Sequence, residues 1–171
     1  MANYILEGIY FYSGFMFFYN LERNGKMPGS AQEIRYINRD ENTHLWLFRN
    51  IIRELQKENP ELFTDEMKDE LREMMKTGVE QEILWGHYVI GDKIQGINKK
   101  LIEDYIKYLG NKRLKDINLD PLYVGYDKNP AIWVDILSNA NSVKTDFFEA
   151  RSTAYAKSAT LVEELKIIRQ W

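Results

Sequence analysis

The first apolar segment of the chain, residues 2–24, is hydrophobic on almost every side. Seven aromatic residues fall between Tyr10 and Tyr19 inclusive, and no turn signal interrupts the segment before Asn24. A stretch of this length is too long for a typical strand, so length favours a helix where periodicity alone does not. A helix that is apolar all round is usually buried. The pattern therefore predicts a central helix over residues 2–24, ended by Asn24-Gly25.

A second helix is predicted from Ser30 to Glu58. Ser30 and Glu33 have the spacing of a capping box, in which both side chains bond backbone N–H groups of the first turn. The Glu58-Asn59-Pro60 sequence stops the helix. Its apolar residues step mostly by three or four positions and are expected to face the core; they are Ile34, Ile37, Leu45, Phe48, Ile52 and Leu55.

Two more helices have clear start signals. Thr64, followed by two acidic residues, begins the third helix, and Asn98 caps the fourth. The predicted core residues are Met67, Leu71, Met74, Met75 and Val79 in the third helix, and Ile102, Tyr105, Ile106 and Leu109 in the fourth. A turn-rich stretch over residues 115–130 precedes a short helix that ends at Leu137.

The chain has no alternating strand pattern, so we predict an all-α fold. Its 171 residues suit one domain. We expect residues 1–137 to form a helical half-bundle. Residues 138–160 are polar and rich in small side chains, and we expect residues 138–171 to form a flexible tail.

Composition excludes several kinds of site. The chain has no cysteine and only two histidines, His44 and His87, which excludes thiolate ligands and a three-histidine site within one chain. A net charge of −3 and a pI of about 5.5 disfavour nucleic-acid binding. Glu7 lies in the middle of the apolar N-terminal segment, which argues against a membrane anchor or a secretory signal. We expect a cytoplasmic protein that binds neither nucleic acid nor membranes.

Three polar residues occupy unusual positions in this pattern. Glu7 is the only charged residue among the first 21, although a carboxylate is also favoured near any helix N-terminus. Glu41 and His44 interrupt the apolar stripe of the second helix, so we expect them to point where the core residues point. Because a buried carboxylate needs a partner, two interpretations stay open: a closed Glu–His pair, or a pair of metal ligands.

The Glu41-x-x-His44 spacing is that of a known ligand motif. In helical di-metal proteins two helices each contribute one Glu, and two others each contribute a Glu-x-x-His. This chain has one of each, because Leu84 stands three positions before His87. The sequence therefore predicts half of a di-metal site.

Longer motifs around these residues resemble a known family. The segment Glu7–Phe15 reads EGIYFYSGF and the segment Ile37–His44 reads INRDENTH. Both are similar to the second half of the class I ribonucleotide reductase small subunit, the radical-generating subunit with a ferritin-like fold. The likeness continues through Asn129-Pro130 and Trp133, and from Thr145–Glu149 to Tyr155. The resemblance implies that the chain is half of a ferritin-like helical bundle.

The family pattern also implies roles for individual residues. Glu7, Glu41 and His44 would be three of six metal ligands in a di-iron centre, with manganese–iron or di-manganese centres as alternatives. An apolar pocket around the radical tyrosine would be lined by Phe11, Phe15 and Ile37, which ordinary core packing explains equally well.

Three further residues have implied catalytic roles. Asp40, beside Arg39, would hydrogen-bond a histidine ligand and a tryptophan on the radical path, and such a carboxylate fixes the histidine tautomer. The tail over residues 138–171 would interact with the large subunit. Within it, Tyr155 would relay the radical to that subunit, and Glu149 would support its proton-coupled transfer.

The first half of the family pattern is missing from the chain, including three ligands and the radical tyrosine. This gap implies a split small subunit: a separate N-terminal half would complete the di-metal site, and two such pairs would form a dimer. With the large catalytic subunit, the assembly would reduce ribonucleoside diphosphates to deoxyribonucleotides. Two alternatives stay open. One is a homodimeric di-iron ferroxidase or oxygenase, in which two copies complete the ligand set, and the other is a non-catalytic helical interaction module.

Overall fold

The computed structural model describes residues 1–139, and its elements in this range are all helical. In chain order they are α1 (Ala2–Ile5), a π-helical turn (Leu6–Tyr10), α2 (Tyr12–Arg23), α3 (Pro28–Glu58), a 3-10 turn (Pro60–Leu62), α4 (Asp65–Val89), α5 (Lys99–Asp116) and α6 (Ile132–Asn139). The all-α prediction is confirmed. Within residues 1–139 no helix is long and apolar enough to cross a membrane.

The predicted helix over residues 2–24 is present, with a π-helical turn inside it that the sequence did not predict. Phe11 joins this turn to α2, and the helical segment ends at Arg23. Gly25 then takes the left-handed conformation, with φ +71°, which is common after a helix end. Single π turns inside longer helices are rare. Those that do occur are often found at functional sites.

The second helix begins two residues earlier than predicted. α3 starts at Pro28, and its N-cap residue, Met27, makes no side-chain capping bond. The predicted capping box at Ser30 is therefore wrong. Proline is favoured at the first helical position because it lacks the N–H that would be unpaired there and because its φ is already helical. The predicted stop is confirmed, since α3 ends at Glu58.

The other two start signals are confirmed by hydrogen bonds. The Thr64 hydroxyl accepts the Met67 N–H at 3.2 Å, and the Asn98 side-chain oxygen accepts the Leu101 N–H at 2.8 Å. Each bond satisfies one of the backbone donors that a helix leaves unpaired at its N-terminus. The last described helix, α6, includes Ser138 and Asn139, which lie beyond the predicted end of the helical domain.

The segment from α1 to α2 lies at the centre of the described residues and packs against α3, α4, α5 and α6. Its fully buried side chains include Tyr4, Ile9, Met16 and Tyr19. Glycine allows one close approach: a Cβ on Gly78 of α4 would lie 2.5 Å from the Ile5 Cγ2 atom. The prediction of a central buried helix is confirmed.

α3 buries part of the predicted apolar stripe, together with polar residues that the pattern did not predict. Leu45 is buried, and Ile34, Phe48 and Ile52 pack partly buried against the core. Ile37 is 44% exposed, and the residues that are buried on this helix are Ala31, Arg35, Asn38 and Leu45. Arg35 pairs with Glu22 at 2.6 Å, and the Asn38 amide donates to the Tyr19 hydroxyl at 3.1 Å. These partners allow Arg35 and Asn38 to lie in the core, although a hydrophobic pattern treats polar residues as solvent-facing.

Several residues that were predicted to lie in the core are exposed to solvent. All four predicted residues of α5 are buried, but on α4 only Met75 and Val79 are, while Met67 and Met74 are exposed. A concave region of about 250 Å³, here called the apolar groove, is lined by Met1, Ile52, Leu55, Asn59, Leu62, Phe63, Met67 and Leu71. Leu84, Trp85 and Val89 of α4 are also exposed. Apolar surface of this extent is typical of interaction sites.

Candidate metal centre

Glu7, Glu41 and His44 come together in the structure. One potential ligand atom from each of them lies within 4.8 Å of the other two. The His44 Nδ1 atom is 2.8 Å from Glu41 Oε2 and 3.7 Å from Glu7 Oε2. Two carboxylates and one imidazole thus converge on one small volume, with Nδ1 as the imidazole atom that faces the carboxylates.

Two helical elements position these groups. Glu7 lies in the π turn, and Glu41 and His44 lie one turn apart on α3. Their i, i+3 spacing places both α3 side chains on one face, and the π turn packs against α3. The cluster therefore depends on the contact between these two segments.

The cluster lies at the edge of the core rather than inside it. The side chains of Glu7 and Glu41 are 18% and 14% exposed, but that of His44 is 51% exposed. The expectation that Glu41 and His44 point into the core is therefore wrong for His44. Part of the predicted apolar stripe on α3, including Ile37 and Leu55, is likewise exposed, because no other described segment covers it.

The electrostatics of the cluster suit a cation. The interaction with Glu41 and partial burial raise the pKa of the Glu7 carboxyl, and the hydrogen bond to Glu41 raises the pKa of the His44 imidazole. Both groups hold a proton more tightly because carboxylates crowd the site. A metal ion would replace those protons, and oxygen donors with one imidazole suit iron or manganese. The residues fit the implied metal.

The other predicted site residues are less enclosed. Asp40 is 66% exposed and its nearest ionic partner is Arg39, with the closest atoms 3.6 Å apart. Phe15 is buried, while Phe11 and Ile37 are exposed. Glu149 and Tyr155 lie outside the described residues.

His87 has a structural contact away from this cluster. Its Nε2 atom lies 3.0 Å from the backbone oxygen of Lys99. The contact joins the last turn of α4 to the first residue of α5.

Sequence reasoning missed a buried carboxylate next to the π turn. Glu82 of α4 is 2% exposed, and its Oε1 atom accepts the Ser13 N–H at 2.9 Å. Burial raises the pKa of Glu82 to about 7. A signal was available, since Glu82 continues the buried periodic series of α4 that includes Met75, Val79 and Gly86.

A buried arginine contacts the same segment from α5. Arg113 Nε donates to the Gly8 carbonyl oxygen at 3.3 Å, and its guanidinium also donates to the Tyr12 hydroxyl at 2.8 Å. The Tyr4 hydroxyl in turn donates to the Arg113 carbonyl oxygen at 3.0 Å. No sequence pattern pointed to Arg113, because these contacts join residues about a hundred positions apart.

Known proteins share the sequence around this site. Residues 1–130 match the family model described as ribonucleotide reductase, small chain. The chain is 64% identical over 167 residues to the ribonucleoside-diphosphate reductase subunit beta of Treponema pallidum (strain Nichols), covering 96% of this chain and 48% of that protein. It is 46% identical over 153 residues to the subunit beta of Halalkalibacterium halodurans, covering 90% and 44%. The chain thus spans about half the length of these curated relatives.

A solved structure gives the same result. The ribonucleotide reductase R2 subunit from Clostridium botulinum aligns with a TM-score of 0.79 at 59% identity, over 81% of this chain and 44% of that chain. This similarity confirms that the helices form a ferritin-like bundle. The family match and the close relatives together show that the chain belongs to the ribonucleotide reductase small-chain family.

Proposed function

We propose that the chain supplies half of the di-metal centre of a class I ribonucleotide reductase small subunit that is split between two chains. The observation that carries this proposal is the convergence of Glu7, Glu41 and His44, with ligand atoms within 4.8 Å of one another. A carboxylate from one helix and a Glu-x-x-His from another are half of the ligand set used by helical di-metal proteins.

The remaining ligands would come from a partner chain equivalent to the N-terminal half of the small subunit. Three ligands are too few for two metal ions, so a second carboxylate and a second Glu-x-x-His are needed. The apolar groove and the exposed apolar residues of α4 support this proposal, because a partner bundle half would cover such surface. Two half-chain pairs would then form the dimeric small subunit, which works with the large catalytic subunit.

When bound, two iron ions, or manganese in place of one or both, would activate oxygen and provide a one-electron oxidant for the reduction of ribonucleoside diphosphates. The chain's own residues prepare the site for that chemistry. Glu7 and Glu41 would offset the charge of the metal ions, and His44 presents Nδ1 toward both carboxylates. Because the pKa values of Glu7 and His44 are raised, metal binding displaces protons and weakens as the pH falls.

Three further residues would connect the centre to the large subunit. Asp40, exposed on α3, would hydrogen-bond a histidine ligand and a tryptophan of the partner half. Tyr155 would pass the oxidising equivalent onward by losing a proton and an electron together, and Glu149 would assist the proton. Phe15, buried behind Phe11, would keep water from the oxidising site.

Ligand variants of the assembled small subunit test this proposal. We expect Glu41→Ala and His44→Ala to abolish metal loading, measured by elemental analysis of the purified complex with its N-terminal half. The matched control is His87→Ala, which removes the other histidine of the chain and should leave metal content unchanged. Equal metal loss in the His87 variant would contradict the assignment. Normal loading without Glu41 or His44 would do so as well.

A further inference from the structure

The π turn that carries Glu7 is held on two sides by buried polar side chains. Ser13 lies in the first turn of α2, where backbone N–H groups lack a partner in the α-helical ladder. Glu82 of α4 accepts that N–H at 2.9 Å. From α5, Arg113 Nε donates to the carbonyl oxygen of Gly8 inside the turn. α5 thus bonds the π turn itself at Gly8, and α4 bonds the first turn of α2, which directly follows it, at Ser13.

Glu82 lies where α4 and α2 approach closely. A Cβ on Gly86, one turn further along α4, would lie 2.8 Å from the Ser13 Oγ atom. The Glu82 side chain is 2% exposed, and burying a carboxylate costs free energy. An apolar side chain would avoid that cost, but it would leave the Ser13 N–H without its acceptor.

We propose that Glu82 is a positioning residue for the metal centre: by accepting the Ser13 N–H, it holds the π turn that presents the Glu7 carboxylate to Glu41 and His44. This role rests on the proposed function in one respect, which is that Glu7 is a metal ligand. The bond between Glu82 and the Ser13 N–H stands on the geometry of α2 and α4, with or without a metal.

The size of the expected effect is set by comparison with residues that support metal ligands, since Glu82 acts on Glu7 through the backbone at Ser13. Residues that orient a metal ligand through hydrogen bonds change metal affinity by about 10–100-fold when they are removed. Loss of the acceptor should also release the Ser13 amide, because a buried N–H without a partner is unfavourable and the local helix will rearrange.

The first measurement needs no metal. Amide hydrogen exchange and backbone ¹³Cα shifts of residues 6–13 are compared by NMR in the native chain, Glu82→Met and Glu82→Gln. We expect at least about tenfold faster Ser13 exchange and shifted Leu6–Tyr10 resonances in Glu82→Met, which removes the acceptor at similar volume. Glu82→Gln keeps a side-chain oxygen and should remain native-like. The control is Glu80→Met, an exposed position on the same helix.

The second measurement is Mn²⁺ affinity of the small subunit assembled with its N-terminal half, followed by electron paramagnetic resonance of the free ion. The Glu82→Met complex should bind Mn²⁺ about 10–100-fold more weakly than the native complex. The Glu82→Gln and Glu80→Met complexes should bind as the native complex does. Rescue by glutamine separates an acceptor role from simple packing of the core.

The outcomes distinguish this inference from the proposed function. A folded Glu82→Met variant with native Ser13 exchange overturns the positioning role, and so does a Glu82→Gln variant in which that amide is released. The glutamine variant decides the question if the methionine variant does not fold. A native complex that binds no Mn²⁺ contradicts the proposed function instead, while the exchange data still decide whether Glu82 holds the π turn.

Discussion

Replacing Glu82 by glutamine should stabilise the chain at neutral and alkaline pH. Glu82 is buried, and burial raises the pKa of its carboxyl from 4.5 to about 7. Between pH 4.5 and about 7, the Glu82 carboxyl therefore keeps its proton in the folded state but has lost it in the unfolded state. For such a group the stability is fully present below pH 4.5 and is lost as the pH rises through about 7. Glutamine has the same shape but does not titrate.

The magnitude follows from the two pKa values. Each unit of difference between the pKa values of the folded and unfolded states corresponds to about 1.4 kcal/mol in the free energy of unfolding. Ionisation of Glu82 thus removes about 3 kcal/mol from the free energy of unfolding of the native chain between pH 4.5 and 8. The Glu82→Gln variant keeps this stability, so the difference between variant and native chain should shift by about 3 kcal/mol in favour of glutamine over this range.

Urea unfolding of both proteins at several pH values between 4.5 and 8 measures this difference. Other titrating groups are shared by the two proteins and cancel in the comparison. Glu80→Gln, an exposed change two residues earlier, is the matched control for the loss of one carboxylate from α4. A difference between Glu82→Gln and the native chain that is constant with pH, or that turns against glutamine as the pH rises, would refute the reasoning.

Three other changes test separate parts of the account. In thermal unfolding, Gly78→Ala should destabilise the chain by about 1–3 kcal/mol, because the new Cβ would lie 2.5 Å from Ile5 Cγ2. The control, Gly14→Ala, should be neutral or slightly stabilising, because its new Cβ would meet no neighbouring segment within 4 Å. Thr64→Ala should cost about 1 kcal/mol in urea unfolding through the lost N-cap bond to Met67. Tyr155→Phe should keep the metal and the small-subunit radical, seen by electron paramagnetic resonance, but stop nucleotide reduction in a turnover assay with the large subunit; full turnover would contradict the relay.

Local signals in the sequence predicted local structure well. Thr64 and Asn98 begin helices as predicted, because a side-chain cap needs only residues three positions apart. The α5 core was also correct, since one apolar stripe covers an entire face. Glu41 and His44 were identified because i, i+3 spacing places ligands together on any helix.

The features that sequence reasoning missed depend on contacts between distant segments. The backbone in and just after the π turn is bonded by Arg113 and Glu82, which lie far along the chain from it. The buried face of α3 includes Arg35, which is paired with Glu22. A hydrophobic pattern treats such polar residues as solvent-facing, although a partner can satisfy them inside the core. The start of α3 was misplaced because the Ser30 capping signal outweighed Pro28 in the prediction.

The most direct test of the proposed half-site is the iron content of the chain alone and of the chain assembled with its N-terminal half. We expect two tightly bound irons per half-chain pair and no stable di-iron centre in the isolated chain, since three ligands cannot hold two metal ions. Elemental analysis with Mössbauer spectroscopy gives both the stoichiometry and the presence of a coupled pair. Two irons per isolated monomer would contradict the account, and two per homodimer would show instead that a second copy completes the ligand set.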